Sequence, residues 1–165
     1  MHALVATEEH AMTSVDVARE IETGRDEEQQ IRQAIEDFGA AVRARDVDGI
    51  LSFYAEDLVA FDMMPPLKFE GRDAYRNSWE QGLQMMQGPL EFEVSNLNIA
   101  VDGNVAYAHS LNRMAFTTSD GERMDGWMRW TGCFKKIDGK WLVAHEHNSV
   151  PLDMNSGKGL MDLKP

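Results

Sequence analysis

The stretch "ERMDGWMRWTGCFKKIDGKWLVAHEHNSV", residues 122–150, sets two aromatic-rich β-type runs on either side of Asp138-Gly139. Asp-Gly is a strong hairpin signal, because a two-residue type I′ turn needs positive φ at both positions. The dipeptide recurs at Asp120-Gly121 and Asp102-Gly103, each 18 residues from the next. The segments before these turns, "NVAYAHSLNRMAFTTS" and "EFEVSNLNIAV", are also β-rich and share no sequence beyond the turns. They predict a four-stranded antiparallel meander, not an internal repeat. Some fourteen residues at about 3.3 Å each make strands longer than a domain of this size accommodates flat. Such strands must bend. Gly126 and Gly132 supply flexible points, and the apolar positions shift from Phe92 and Val94 to Leu97 and Ile99, which marks a bulge near Ser95-Asn96.

Upstream the period changes. Ile31, Ala34, Ile35, Phe38, Ala41 and Val42 fall at helical spacing, predicting a helix from Asp26 to about Arg45. Asp46 suits the N-cap of a short second helix that buries Val47, Ile50, Leu51 and Tyr54. "DLVAFDMMPPLKFEG" then predicts a strand, a loop marked by Pro65-Pro66 and a short strand. Tyr75, Trp79, Gly82, Leu83 and Met86 restore helical spacing until Gly88-Pro89. Three helices followed by a long bent sheet make an α+β domain. A sheet curled around the first helix and closed by helices at one end leaves a cone with one pocket. The domain is expected over residues 26–151, with a polar N-terminal extension over 1–25 and a C-terminal tail over 152–165.

The chain carries 28 acidic against 16 basic residues, a net charge of −12. That balance argues against a nucleic-acid backbone or an anionic membrane as partner, since both need clustered Lys and Arg. One cysteine, Cys133, excludes an intrachain disulfide and reads as a small core residue of a strand. No signal-peptide pattern opens the sequence and no segment approaches a membrane span, so a cytoplasmic setting is expected.

With two-residue turns at Asp138-Gly139 and Asp120-Gly121, Phe134 pairs with Val143, Gly132 with His145 and Trp130 with His147. His109 falls opposite Gly132. One face then carries Tyr107, His109, Leu111, Trp130, Phe134, Trp141, Val143, His145 and His147. It is the more apolar and aromatic, so it is expected to be concave, with Gly132 leaving room for a ligand between His109 and His145. A single bulge would turn the last strand over and present Glu146, Asn148 and Arg129 instead. His-x-His on one strand face can chelate, but no third ligand at a suitable spacing follows, so neither metal nor cofactor is expected.

The order of helix, short helix, "FYAEDLVAFDMMPPLKFEGRDAY", helix and meander, closing on "KIDGKWLVAHEHNSVP", resembles the nuclear transport factor 2-like superfamily. Within it the chain is most similar to the SnoaL-like and ketosteroid isomerase-like group. The resemblance spans about Asp26 to Pro151. It implies a cone-shaped barrel of a long, bent, mostly antiparallel sheet around N-terminal helices, the cystatin-like arrangement, and a homodimer paired through the outer sheet face. It places Asp62, in "AFDMMPP", at the family's catalytic carboxylate, the general base beside a ketone. The isomerase's oxyanion-hole tyrosine falls at Phe38 and its second donor near Arg129, so the steroid isomerase mechanism lacks both its donors here. The superfamily hosts isomerases, cyclases, dehydratases and non-catalytic association domains, so the fold alone does not name an activity. The expected function is acid/base chemistry without cofactor on a small, partly apolar carbonyl ligand. Asp62 is the base, and His109, His145 or His147 supplies protons. Tyr54, Trp79 and Trp130 would form pocket wall, and Arg129, Glu146 and Asn148 would bind substrate on the alternative face. The rival expectation is a non-catalytic ligand-binding or association domain.

Overall fold

The computed structural model describes residues 13–165. The first helix, α1 (Ser14–Ala44), begins well before Asp26, so from Ser14 onward the expected polar N-terminal extension is part of this helix. Residues 1–12 of that extension lie outside the described residues. Of the expected apolar stripe, Ile31, Ile35, Ala41 and Val42 are buried, while Ala34 and Phe38 pack partly covered against the same core. Each fully buried aliphatic side chain of this size contributes roughly 1.5–3 kcal/mol, and this stripe anchors the helix to the sheet.

Asp46 caps α2 (Val47–Leu51), its side chain accepting from the Gly49 N–H at 3.1 Å. The chain then forms β1 (Tyr54–Phe61), β2 (Phe69–Glu70) and α3 (Arg72–Met85). Arg45, just past the end of α1, ties it to the end of α3, donating to the carbonyls of Leu83 and Gly88 at 3.1 and 2.9 Å. The meander is β3 (Met86–Asp102), β4 (Val105–Thr118), β5 (Arg123–Ile137) and β6 (Lys140–Ser149). The sheet order is β2-β1-β6-β5-β4-β3, with β1 parallel to β6 and the other neighbours antiparallel. It is a six-stranded, curved, mixed sheet that does not close, wrapped on α1, as expected of the α+β cone.

The turns differ in detail. Asp138 and Gly139 both have positive φ (49° and 78°), and Ile137 pairs with Lys140 across them, as predicted. At the first hairpin the turn residues are Gly103-Asn104, since Asp102 pairs with Val105. At the second, Thr117 pairs with Arg123 across a longer loop. The predicted bulge in β3 is present, with Asn96 at φ 55° between the Ser95 and Asn98 pairings.

The C-terminal segment folds back over the open end of the cone. Trp127 N–H donates to the Met161 carbonyl at 2.8 Å, continuing the edge of β5 beyond the end of β6. Among the described residues no helix is long and apolar enough to cross a membrane.

Candidate active site

The inward face of the sheet follows from two register details. On β4 every pairing is displaced by one residue from the expected hairpin, so Ala108, not His109, lies opposite Gly132. On β6 Phe134 pairs with Val143 as expected, but Cys133 pairs with His145, leaving Ala144 as an extra residue. This bulge reverses the strand. Trp141 and Val143 point inward before it, and Glu146 and Asn148 after it. The concave face therefore carries Ala106, Ala108, Ser110 and Asn112 on β4, and Met128, Trp130, Gly132 and Phe134 on β5.

The expectation that the histidines look inward is corrected. His109 is exposed on the convex face, stacked on Tyr107 with ring centroids 6.5 Å apart. On the same outer side His145 contacts the Val59 carbonyl through Nδ1 at 2.7 Å, and the Phe61 ring meets the edges of His145 and His147. Arg129, paired with Leu111 and Ser149, is exposed there too. The cause is steric. On β4, which faces the large Trp130 and Phe134 rings of β5 across the curl, alanine and serine face in while the larger Tyr107, His109 and Leu111 face out.

Glu146 is 2% exposed and lies at the centre of a polar cluster. Trp130 Nε1 donates to its Oε2 at 3.0 Å, and the Tyr54 hydroxyl lies 3.2 Å from both carboxyl oxygens. Asn148 Nδ2 approaches Oε1 at 3.4 Å. The Tyr75 hydroxyl from α3 sits 2.5 Å from Glu146 Oε1 and 2.6 Å from Asp62 Oδ2. Asp62, just after β1, is half-buried, and its Oδ1 accepts from the Met64 N–H at 3.2 Å.

A phenol has one proton and cannot donate to two carboxylates at once. With that proton given to one of them, the short contact to the other requires one of the two carboxyl groups to carry a proton. The electrostatics agree. Burial pushes the Glu146 pKa above the ordinary glutamate value and the charge of Asp62 adds to this, while hydrogen bonds from Tyr75, Trp130 and Tyr54 offset part of the rise. Burial likewise holds both Tyr54 and Tyr75 well above the usual phenol range, with the Glu146 charge adding in each case. The cluster sets Glu146, the Tyr75 hydroxyl and Asp62 in a line.

Gly132 serves this cluster differently from the expected opening for a ligand. A Cβ there would meet Trp130 Cη2 at 2.7 Å, so the missing side chain makes room for the indole that reaches Glu146. The Trp79 Nε1 is enclosed and has no hydrogen-bond partner among the described residues. It lies near enough to Tyr54 to favour that residue's phenolate slightly, yet outside hydrogen-bond geometry.

These groups open into a cavity of about 420 Å³. Its wall includes Phe38, Tyr54, Trp79, Phe92, Phe116 and Trp130, with methionines 63, 64, 86, 114, 124, 128 and 161. The volume is in the range of small-molecule sites. The cavity thus brings together Asp62, Tyr54, Trp79, Trp130, Glu146 and Asn148 of the residues singled out from sequence, and leaves His109, His145, His147 and Arg129 outside. Among the described residues no group of three or more His, Cys, Asp and Glu side chains is placed to hold a metal ion.

Residues 31–153 match the model of the SnoaL-like domain. The chain belongs to the SnoaL-like family. A solved relative, an NTF2-like protein of unknown function from Pseudomonas putida KT2440, is 44% identical, with 86% of this chain and 98% of that one covered and a TM-score of 0.78. More distant structures share the fold. A putative scytalone dehydratase from Novosphingobium aromaticivorans DSM 12444 is 19% identical, over 88% of this chain and 99% of that one, with a TM-score of 0.72. The association domain of C. elegans CaMKII is 16% identical, over 78% and 98%, with a TM-score of 0.63. No match was found among curated proteins.

Sequence reasoning misses two parts of the candidate site in this SnoaL-like domain. Tyr75 reads only as part of an apolar helix face, and Ser110 and Asn112 fall on the face expected to be convex. A signal for the pair is present. In "AYAHSLN" small residues alternate with large ones, and the small set belongs inside a tight curl.

Proposed function

We propose that this SnoaL-like domain is an acid/base enzyme whose own side chains move protons on a small, largely apolar carbonyl compound, in a reaction of the isomerase, cyclase or dehydratase kind. The observation that carries the reading is the Tyr75 hydroxyl held within 2.6 Å of two carboxyl groups on the wall of an apolar cavity. Structural ion pairs do not need a protonated acid behind a phenol at a cavity wall, whereas proton transfer does.

Asp62 takes the proton from a carbon beside the substrate carbonyl. Tyr75 gives its proton to the carbonyl oxygen and regains one from Glu146. The resulting Glu146 carboxylate is held by Trp130, Tyr54 and Asn148, the three other donors already in contact with it. One negative charge moves from Asp62 to Glu146 and none is created, which suits a site with little water. Return of the proton at another carbon gives isomerisation; a neighbouring hydroxyl that takes the Asp62 proton and leaves as water, while the enol proton returns through Tyr75 to Glu146, gives dehydration. Phe38 in place of a tyrosine means that oxyanion donation comes from Tyr75, not from α1.

The test is exchange of the acidic C–H protons of 2-tetralone in D2O, followed by NMR. Parent protein is expected to accelerate exchange, and Asp62→Asn to lower the rate by about 10²-fold or more. Equal rates for parent and variant would remove the base role.

We also infer that the convex face pairs two copies, the homodimer that the family resemblance implies. The support is that Tyr107 and Val105 are 50% and 57% exposed there, with Phe61 at 41% on the same side.

A further inference from the structure

The proton-moving cluster occupies one end of the cavity and leaves a second polar group unexplained. Asn112 is 6% exposed, and Ser110 Oγ donates to its Oδ1 at 2.7 Å. Its Nδ2 has no partner among the described residues and lies in the cavity wall. With Oδ1 bonded to Ser110, Nδ2 is the end of the amide left for the cavity.

The place of Asn112 sets the geometry of what it meets. Gly132 pairs with both Glu146 and Ala108, so Glu146 and Ala108 are level across the sheet. Asn112 lies two strands across and four residues along from Glu146. Strand spacing and rise then put the two α-carbons on the order of 15 Å apart. Both side chains lean into the hollow, leaving on the order of 10 Å for a ligand between them. The wall between is aromatic and methionine-rich and offers flat, adaptable apolar contact.

Resting on the reading of this cavity as the substrate site, we propose that Asn112 is a specificity-determining residue. It donates from Nδ2 to an oxygen acceptor at the far end of the ligand. The substrate class is then a flat, elongated molecule of about two fused rings with an oxygen at each end, one at Asp62 and Tyr75 and one at Asn112. A molecule with an alkyl group at the second end would leave the amide donor unpaired and bind less well.

The experiment compares 6-acetyl-2-naphthol with 6-isopropyl-2-naphthol, which match in shape but differ in the acceptor. Dissociation constants are measured by calorimetry on the full chain, with circular dichroism to check folding. Parent protein is expected to favour the acetyl compound by about tenfold. Asn112→Leu is expected to abolish the preference while holding the isopropyl compound within about twofold. Asn112→Asp, the same size but without the donor, should also lose it and answers the question if the leucine variant does not fold. No preference in the parent, a preference that survives both folded variants, or failure of both naphthols to bind overturns the proposal. Asp62→Asn separates the two readings. If tetralone exchange is absent or insensitive to Asp62 while the acetyl preference persists, the acid/base mechanism falls and the role of Asn112 stands.

Discussion

Glu146 is a carboxyl group whose pKa the fold raises by enclosing it, and this has a measurable cost. A group whose folded pKa is raised favours folding below its unfolded value and loses that contribution as pH rises through the folded value. The stability of the parent is therefore expected to fall as pH climbs above the ordinary glutamate range. Glu146→Gln offers Tyr75 an N–H and Trp130 an acceptor without a proton to lose. Denaturation midpoints for the two proteins, taken from about pH 4 to about pH 8, should diverge upward from the acid end, the glutamine protein the more stable at high pH. Parallel curves would show that Glu146 does not carry the proton. Gly132 makes a second residue-level case. Gly132→Ala must push aside the Trp130 ring, with an overpacking cost of about 1–3 kcal/mol, and should red-shift and weaken the tryptophan signature of the buried indole along with lowering the melting temperature.

At the scale of elements, the helices and one of the three Asp-Gly turns were legible because each carries its own chemistry, while the other two turns shifted and displaced the β4 register by one residue. The α1 stripe, the Asp46 cap and the type I′ turn at Asp138-Gly139 are local, and the structure keeps all three. The facing of the strands was not legible, because it depends on interactions that one strand does not contain. The Ala144 bulge sits where β6 takes on β1 as a parallel neighbour, Val59 pairing with His145. Nothing in "WLVAHEHNS" announces that neighbour. Aromatic content was also a poor guide to the concave side, since Tyr107 needs space that Ala108 does not. The C-terminal segment yields a prediction of its own. A Cβ at Gly126 would lie 2.8 Å from Met161 Cβ and 3.3 Å from its carbonyl oxygen, so both backbone and side chain obstruct it. Gly126→Val is expected to detach residues 159–165 and release the Trp127–Met161 bond. Limited proteolysis should then cut the tail at a concentration of protease that spares the parent, with little change in the core helices.

For the whole molecule, family and fold were within reach of the sequence because length, the helix-then-sheet order and the closing strand all point one way. The candidate site was half within reach. Asp62, Tyr54, Trp79 and Trp130 line the cavity whichever way β6 is turned, whereas the choice between imidazole and carboxyl partners hung on one residue of register. The convex face gives a prediction at this scale. If two copies pair through it, Tyr107→Glu places a charge at the interface of a chain already at −12 and should shift the sedimentation coefficient from dimer to monomer without loss of helicity. An unchanged coefficient would rule the face out as the interface.

The Ala144 bulge also bears on how this chain is compared with its kin. Two sets of titratable or polar side chains, a carboxyl with an amide and a pair of imidazoles, stand side by side on one strand, and a single-residue gap decides which of them is enclosed. A homologue lacking that one position could shelter histidines in its hollow with every neighbouring letter unchanged. Alignments that ignore such a gap will group proteins with unlike cavity walls as one, and descent in this family is better traced by what each strand turns inward than by percentage of shared letters.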